Sequence, residues 1–456
     1  MAKEHLKSRL GFILISAGCA IGIGNVWKFP YITGQNGGGM FVLIYLFFLA
    51  VLGIPVLVME FSLGRASQKS PSQMYKVLEP KNSKWHLHGY VTVIGCYLLM
   101  MFYTTVAGWM LDYFVKMTKG DFVGADTGKV GQIFDKMMSS PVEQTIFMAI
   151  TLVLAVVVCS IGLQKGLEKV TKVIMVALLG IMVILAVNSI FLPGSREGLS
   201  FYLLPSIKNM KAAGFGNVVV AAMNQAFFTL SLGIGSMAIF GSYIGKDRSL
   251  LGESVNITVL DTFVAITSGL IIFPACFTYD IPVDAGPNLI FVTLPNVFIN
   301  MPGGRIWGSL FFLFMTFAAF STVLAVFQNI VANTQDTFGW GLKKSCLING
   351  GLLLVLSMPC ILGFNLLSGF QPLGAGSTIL DLEDFIVSNV LLPLGSFIFV
   401  IFCTTRYGWG WKNFKDEANA GKGLKIQNWM RGYMTYVLPV IVLALFIVGI
   451  VNVFNK

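Results

Sequence analysis

Residues 18–30 read Gly18-Cys19-Ala20-Ile21-Gly22-Ile23-Gly24-Asn25-Val26-Trp27-Lys28-Phe29-Pro30, inside an apolar run over about 10–37. Much later, Phe227-Phe228-Thr229-Leu230-Ser231-Leu232-Gly233-Ile234-Gly235-Ser236 carries the same Gly-Ile-Gly inside a run over about 216–244. Each glycine weakens a helix by about 1 kcal/mol against alanine. One such motif is explained by close helix packing. Two, in the first and sixth of a series of apolar runs, point to helices broken at corresponding positions in two halves, an inverted repeat of five helices each. Unwound backbone at bilayer depth exposes N–H and C=O groups that hydrocarbon cannot satisfy. A small cation and an amphoteric molecule can satisfy them, because half-helix N-termini attract a carboxylate and free carbonyls coordinate a cation.

The rest of the chain supports a membrane setting. Of 456 residues, 55% are hydrophobic and 11% charged. Soluble domains carry about 25% charged residues, so a soluble enzyme, a disordered chain and a coiled coil are excluded. Apolar runs fall at about 10–37, 40–63, 88–116, 143–161, 168–193, 216–244, 254–277, 307–333, 346–363, 379–404 and 431–453. These runs are long and continuous, unlike the short alternating strands of a barrel, and predict an all-α membrane protein of about eleven transmembrane helices. With the N-terminus in the cytoplasm, about 21 of the 31 basic residues lie inside and about 9 outside, as the positive-inside rule favours. The first run reads as retained, not as a signal peptide. The net charge of +10 then serves topology and anionic lipid, not nucleic acid. The seven cysteines form no CxxC pair, and His5, His86 and His88 lie in polar loops. The stretch 278–306 mixes four prolines with apolar residues and suits a loop that folds back onto the protein.

Ionisable residues within the runs are few: Lys28, Glu60, Asp261, and Glu383 with Asp384 at one end. Burying one costs at least roughly 2.5–3.5 kcal/mol on insertion scales, so each is a functional group or half of a structural pair. Glu60 fits a bond to unwound backbone as well as a functional role, and Asp261 fits an ion ligand better. Ser321 and Thr322 follow Ala318-Ala319-Phe320 in the eighth run. Taken alone they would bond back one turn along their helix; beside free carbonyls they are the hard oxygen ligands that sodium takes.

The sequence resembles the neurotransmitter:sodium symporter family, on Gly24-Asn-Val-Trp-Lys-Phe-Pro-Tyr31 with Asn36-Gly-Gly-Gly39, on Phe228-Thr-Leu-Ser-Leu-Gly-Ile-Gly235, and on Glu60, Leu63-Gly-Arg65 and Gln328. The match runs through essentially the whole chain, and the run count resembles the bacterial eleven-helix amino-acid transporters. The resemblance implies repeats over 1–193 and 194–404, with a loop and last helix over 405–456. It implies sodium-coupled uptake of neutral hydrophobic or aromatic L-amino acids across the cell membrane. A first sodium would be held by Ala20, Asn25, Thr229 and Asp261 with the substrate carboxylate. A second would be held by Gly18, Ile21, Ala318, Ser321 and Thr322. The substrate would lie among Ala20, Gly22, Ile23, Gly24, Leu99, Tyr103, Phe228, Thr229, Ser231, Ile234, Thr322 and Val326. Lys28 and Asp384 would form an outer gate, and Lys3, Tyr243 and Asp336 would be further gate residues.

Three positions depart from the family pattern: Lys28 stands for arginine, Asp261 for asparagine, and Val176 for a proline ten residues after Gly166. Asp261 with Ala265 one turn on supplies fixed charge and no donor to an anion, so transport is expected to be chloride-independent. An intramembrane enzyme has no histidine in a run to act as base. A channel or a non-transporting sensor is the remaining alternative, but no ring of pore charges is visible.

Overall fold

The computed structural model describes residue 6 and residues 8–280 and 288–454. It is helical, with isolated bridges at Gly38–Pro205 and Arg248–Lys422 and no strand among the described residues. Among the described residues nine helices are long and apolar enough to cross a bilayer, and the bent pair Arg9–Ala20 and Gly24–Gln35 makes a tenth candidate. The expected sixth span is divided into Phe215–Thr229 and Ser236–Gly241. Neither piece crosses alone, so the count of eleven is reached only if the two are joined.

The halves of the first span meet at 56°. The regular ladder ends where the Ile21 amide bonds Ala17 O, and it resumes where the Asn25 amide bonds Gly22 O. The sixth break runs over 230–235, with Ser231, Gly233 and Gly235 at φ of +50°, +101° and +72°. Glu60 lies opposite, fully buried, and its Oε1 accepts the Gly233 amide at 2.5 Å. Of the two readings open for Glu60, the bond to unwound backbone is the one present.

Six wide turns with i→i+5 hydrogen bonds interrupt the helices, and five of them end two residues before a proline. These are Gly24–Lys28 before Pro30, Leu49–Gly53 before Pro55, Leu289–Thr293 before Pro295, Ile386–Leu391 before Pro393 and Tyr433–Val437 before Pro439. Proline lacks an N–H and its ring crowds the carbonyl four residues back, so the ladder widens there. The sixth, Leu163–Glu168, has no such proline and opens the fifth span, which then runs unbroken over Lys169–Ile190. Val176 is 63% exposed on that helix.

The third and eighth spans, His86–Lys119 and Gly304–Phe338, form the centre; His86 and His88, expected in a polar loop, open the third span, where His88 is buried against the Tyr75 hydroxyl. In the eighth, 72% of the most apolar window is buried, against 33% in the fourth and last spans, which leaves those two facing lipid. The loop after the seventh span does fold back. Its helix over 289–300 seats Phe291 among Trp27, Trp109, Tyr113, Phe134 and Phe312. At the opposite face a short helix, Trp411–Ala418, brings Glu417 onto the buried Arg65 at 2.7 Å.

Candidate functional site

The two breaks face each other, and the polar side chains of the apolar spans collect around them. Asn25, Thr229 and Asp261 come from the first, sixth and seventh spans and are fully buried. Asn25 Nδ2 donates to Asp261 Oδ1 at 2.8 Å and to Thr229 Oγ1 at 3.0 Å, and Thr229 Oγ1 donates to Asp261 Oδ2 at 2.9 Å. Asn25 Oδ1 accepts the Gly22 amide at 3.2 Å. Among the described residues no basic side chain pairs with Asp261. Its side-chain partners are the neutral amide of Asn25 and the hydroxyl of Thr229.

A second oxygen cluster lies between the first break and the eighth span. Thr322 Oγ1 is 3.3 Å from Gly18 O and 3.3 Å from Ile21 O. Ser321 Oγ is 2.9 Å from Ala318 O and 3.3 Å from Ile21 O. Ser321 thus makes the bland bond back along its own helix and also reaches the break. Thr322 reaches only across. Every oxygen here is a hydroxyl or a carbonyl.

Between the two clusters lies a cavity lined by Ala20, Gly22, Gly24, Leu99, Tyr103, Phe228, Ser231, Ile234 and Thr322, joined by Val387 and Leu392 of the tenth span. The Tyr103 hydroxyl accepts the Ile23 amide at 2.9 Å, which leaves its own proton to donate. Glycine at position 22 is a matter of space. A Cβ there would lie 2.2 Å from Tyr103 Oη and 2.5 Å from Thr322 Oγ1. Ser231 Oγ donates to Cys19 O at 3.3 Å, linking the two breaks directly. The lining carries no charged side chain.

Most of the expected site residues are brought together, and some are not. Ile23 contributes its amide from behind the cavity, and Thr229 belongs to the Asp261 cluster. Val326, expected at the side-chain end, is fully buried one turn beyond Thr322 and does not line the cavity. Sequence reading also passes over Gln225, whose Nε2 donates at 3.2 Å to Gly24 O, which accepts the Phe29 amide as well. A polar amide four residues before Thr229 in an apolar run was its signal.

Lys28 Nζ lies 3.8 Å above the centre of the Phe228 ring and 3.4 Å from Asp384 Oδ2. Asp384 Oδ1 accepts Ser388 Oγ at 2.6 Å. The three groups form a partly exposed cap over the cavity. At the other end Tyr243 O accepts the Leu6 amide at 3.3 Å, and its hydroxyl accepts Gln328 Nε2 at 3.2 Å. Asp336 Oδ2 accepts the Ser70 amide at 2.7 Å, at the start of the helix Pro71–Leu78. Lys3, also expected at a gate, lies outside the described residues.

Comparison with known proteins bears on what this arrangement is. The model of the sodium:neurotransmitter symporter family matches residues 3–126 and 127–456. The chain is 34% identical over 453 residues to the uncharacterized sodium-dependent transporter YhdH of Bacillus subtilis, covering 98% of each. It is 25% identical to the sodium-dependent serotonin transporter of Drosophila melanogaster, over 99% of this chain and 77% of that one. Its fold superposes on the crystal structure of MhsT in complex with L-phenylalanine with a TM-score of 0.88 and 34% identity, covering 98% of this chain and all of the other. With its paired broken helices and a family match along nearly its full length, the chain belongs to the sodium:neurotransmitter symporter family, whose members are transporters and not enzymes.

Proposed function

We propose that this protein takes up neutral hydrophobic or aromatic L-amino acids into the cell by alternating access, driven by two sodium ions and without chloride. The observation that carries this is the position of the uncharged cavity, with broken-helix backbone on two sides and an oxygen cluster on each flank. The outer half of the first span begins at Gly24, so its positive end faces the cavity, as a carboxylate requires. Tyr103 donates to that carboxylate. The helices Arg9–Ala20 and Phe215–Thr229 end at the cavity, and their negative ends favour the substrate amino group and the ions. The bound ligand of MhsT, L-phenylalanine, has this chemistry.

The first sodium takes Ala20 O, Asn25, Thr229, Asp261 and the substrate carboxylate, so ion and substrate stabilise each other. The second takes Gly18, Ile21, Ala318, Ser321 and Thr322, where Thr322 also lines the cavity. A carboxylate already fixed at Asp261, with Ala265 buried one turn further, leaves an anion neither attraction nor a donor. Lys28 and Asp384 close the outer side over Phe228. Tyr243 and Asp336 belong to the inner closure, with the N-terminus in the cytoplasm of a cell whose plasma membrane holds the protein.

Uptake of radiolabelled amino acids into proteoliposomes tests this directly. Leucine and phenylalanine should accumulate under an inward sodium gradient, with glutamate and lysine failing to compete. Replacement of chloride by gluconate should leave uptake unchanged. Undiminished uptake in sodium-free choline buffer refutes the coupling, and loss of uptake in gluconate refutes the role given to Asp261.

A further inference from the structure

We propose that Val387 and Leu392 of the tenth span form the wall that sets how large a substrate side chain the carrier accepts. This rests on the amino-acid reading above and adds the residues that limit size. Both line the cavity beside Ile234 and Phe228 and are themselves 1% and 3% exposed. In a regular α-helix of 3.6 residues per turn, positions five apart point about 140° away from each other. Here the wide turn Ile386–Leu391 intervenes, and the Leu392 amide bonds Val387 O. An i→i+5 bond stacks the two residues on one face. Pro393 is the cause, since it lacks the N–H of a regular ladder.

The wall is also fixed in place. A Cβ on Gly233 would lie 2.1 Å from Leu392 O, and one on Gly395 would lie 1.9 Å from Gly233 O. Backbone therefore meets backbone where the sixth break touches the tenth span, and neither glycine has room for a side chain there. Both wall residues are apolar, so a charged side chain at this end would be buried unpaired. The role expected of Val326 passes in this way from the eighth span to the tenth.

Competition against sodium-driven leucine uptake in proteoliposomes reads the wall. The measured quantity is the ratio of the inhibition constants of tryptophan and leucine. A methylene of pocket volume is worth about tenfold or more in discrimination. Leu392→Ala should lower the ratio at least fivefold in favour of tryptophan, and Val387→Ala at least threefold. Leu392→Phe, which narrows the cavity without leaving a void, should raise it. Loss of folding lowers uptake of both substrates alike and does not move the ratio, so any variant that reaches the membrane reports on the wall. A ratio unchanged within twofold in the surviving variants overturns the assignment. Wild-type protein that takes up no amino acid at all overturns the functional reading instead, which is a separate and visible failure.

Discussion

The two helix breaks share the motif Gly-Ile-Gly but use it differently. At the first break neither Gly22 nor Gly24 has a positive φ. Their lack of a side chain lets ligand-facing groups approach: Tyr103 and Thr322 at Gly22, and the Phe228 ring at Gly24. At the sixth break Gly233 and Gly235 lie in the left-handed region, and their neighbours are the backbone of Leu392 and the ring of Pro71. Glu60 then holds the Gly233 amide. At the first break the glycines make room for neighbouring side chains. The other break is open because its backbone is built and pinned that way. Substitution should therefore separate binding from folding.

The largest effect is expected at the sixth break. Gly233→Ala puts a Cβ at positive φ against a carbonyl that cannot move, at a cost of about 3 kcal/mol or more. Its membrane yield and its Tm in detergent should both collapse. Gly22→Ala should lower Tm less than Gly233→Ala, because its methyl clashes with the ends of the Tyr103 and Thr322 side chains and not with backbone, while weakening substrate binding more than tenfold. Equal loss of Tm in the two variants would erase the distinction between the breaks.

Asp261→Asn replaces the carboxyl of the Asn25–Thr229–Asp261 cluster with an amide. Half-saturating sodium for uptake should rise about tenfold, equivalent to about 1.4 kcal/mol, with substrate selectivity unchanged. An unaltered sodium dependence would make Asp261 a structural partner of Asn25 and Thr229 only. The smallest effect belongs to the cap. Lys28 and Asp384 are 28% and 35% exposed, and solvent screens such pairs to about 1 kcal/mol or less. Lys28→Ala and Asp384→Ala should each slow uptake severalfold, and the double variant should lose less than the sum of the two. Strict additivity would show that the two do not act together.

Much of this was legible before any coordinates. An apolar run tolerates broken backbone only where something satisfies it, so Gly22, Gly24, Gly233 and Gly235 stand out, and so do Asn25, Asp261, Ser321 and Thr322 around them. The apolar loop over 278–306 was also readable as packed, and its Phe291 sits within an aromatic cage. What the sequence hides is helix phase. Val326 lies on the same helical face as Thr322 one turn further on, and only the packing of the eighth span shows that the cavity lining stops at Thr322. Val387 and Leu392 belong to different faces on α-helical spacing, and the wide turn before Pro393 reverses that. The recurrence of such turns two residues before a proline is the signal that could have found them. The fate of Glu60 was equally undecidable without the position of the Gly233 amide.

The central claim is that substrate and sodium bind together where the two breaks meet. Equilibrium binding of radiolabelled L-phenylalanine to the purified carrier, titrated with sodium in choline buffer, tests it most directly. Affinity should rise steeply with sodium in the wild type, and the sodium dependence should shift to higher concentration in Asp261→Asn. Saturable binding of equal affinity with and without sodium would contradict it, because the ion and the carboxylate would then share no site.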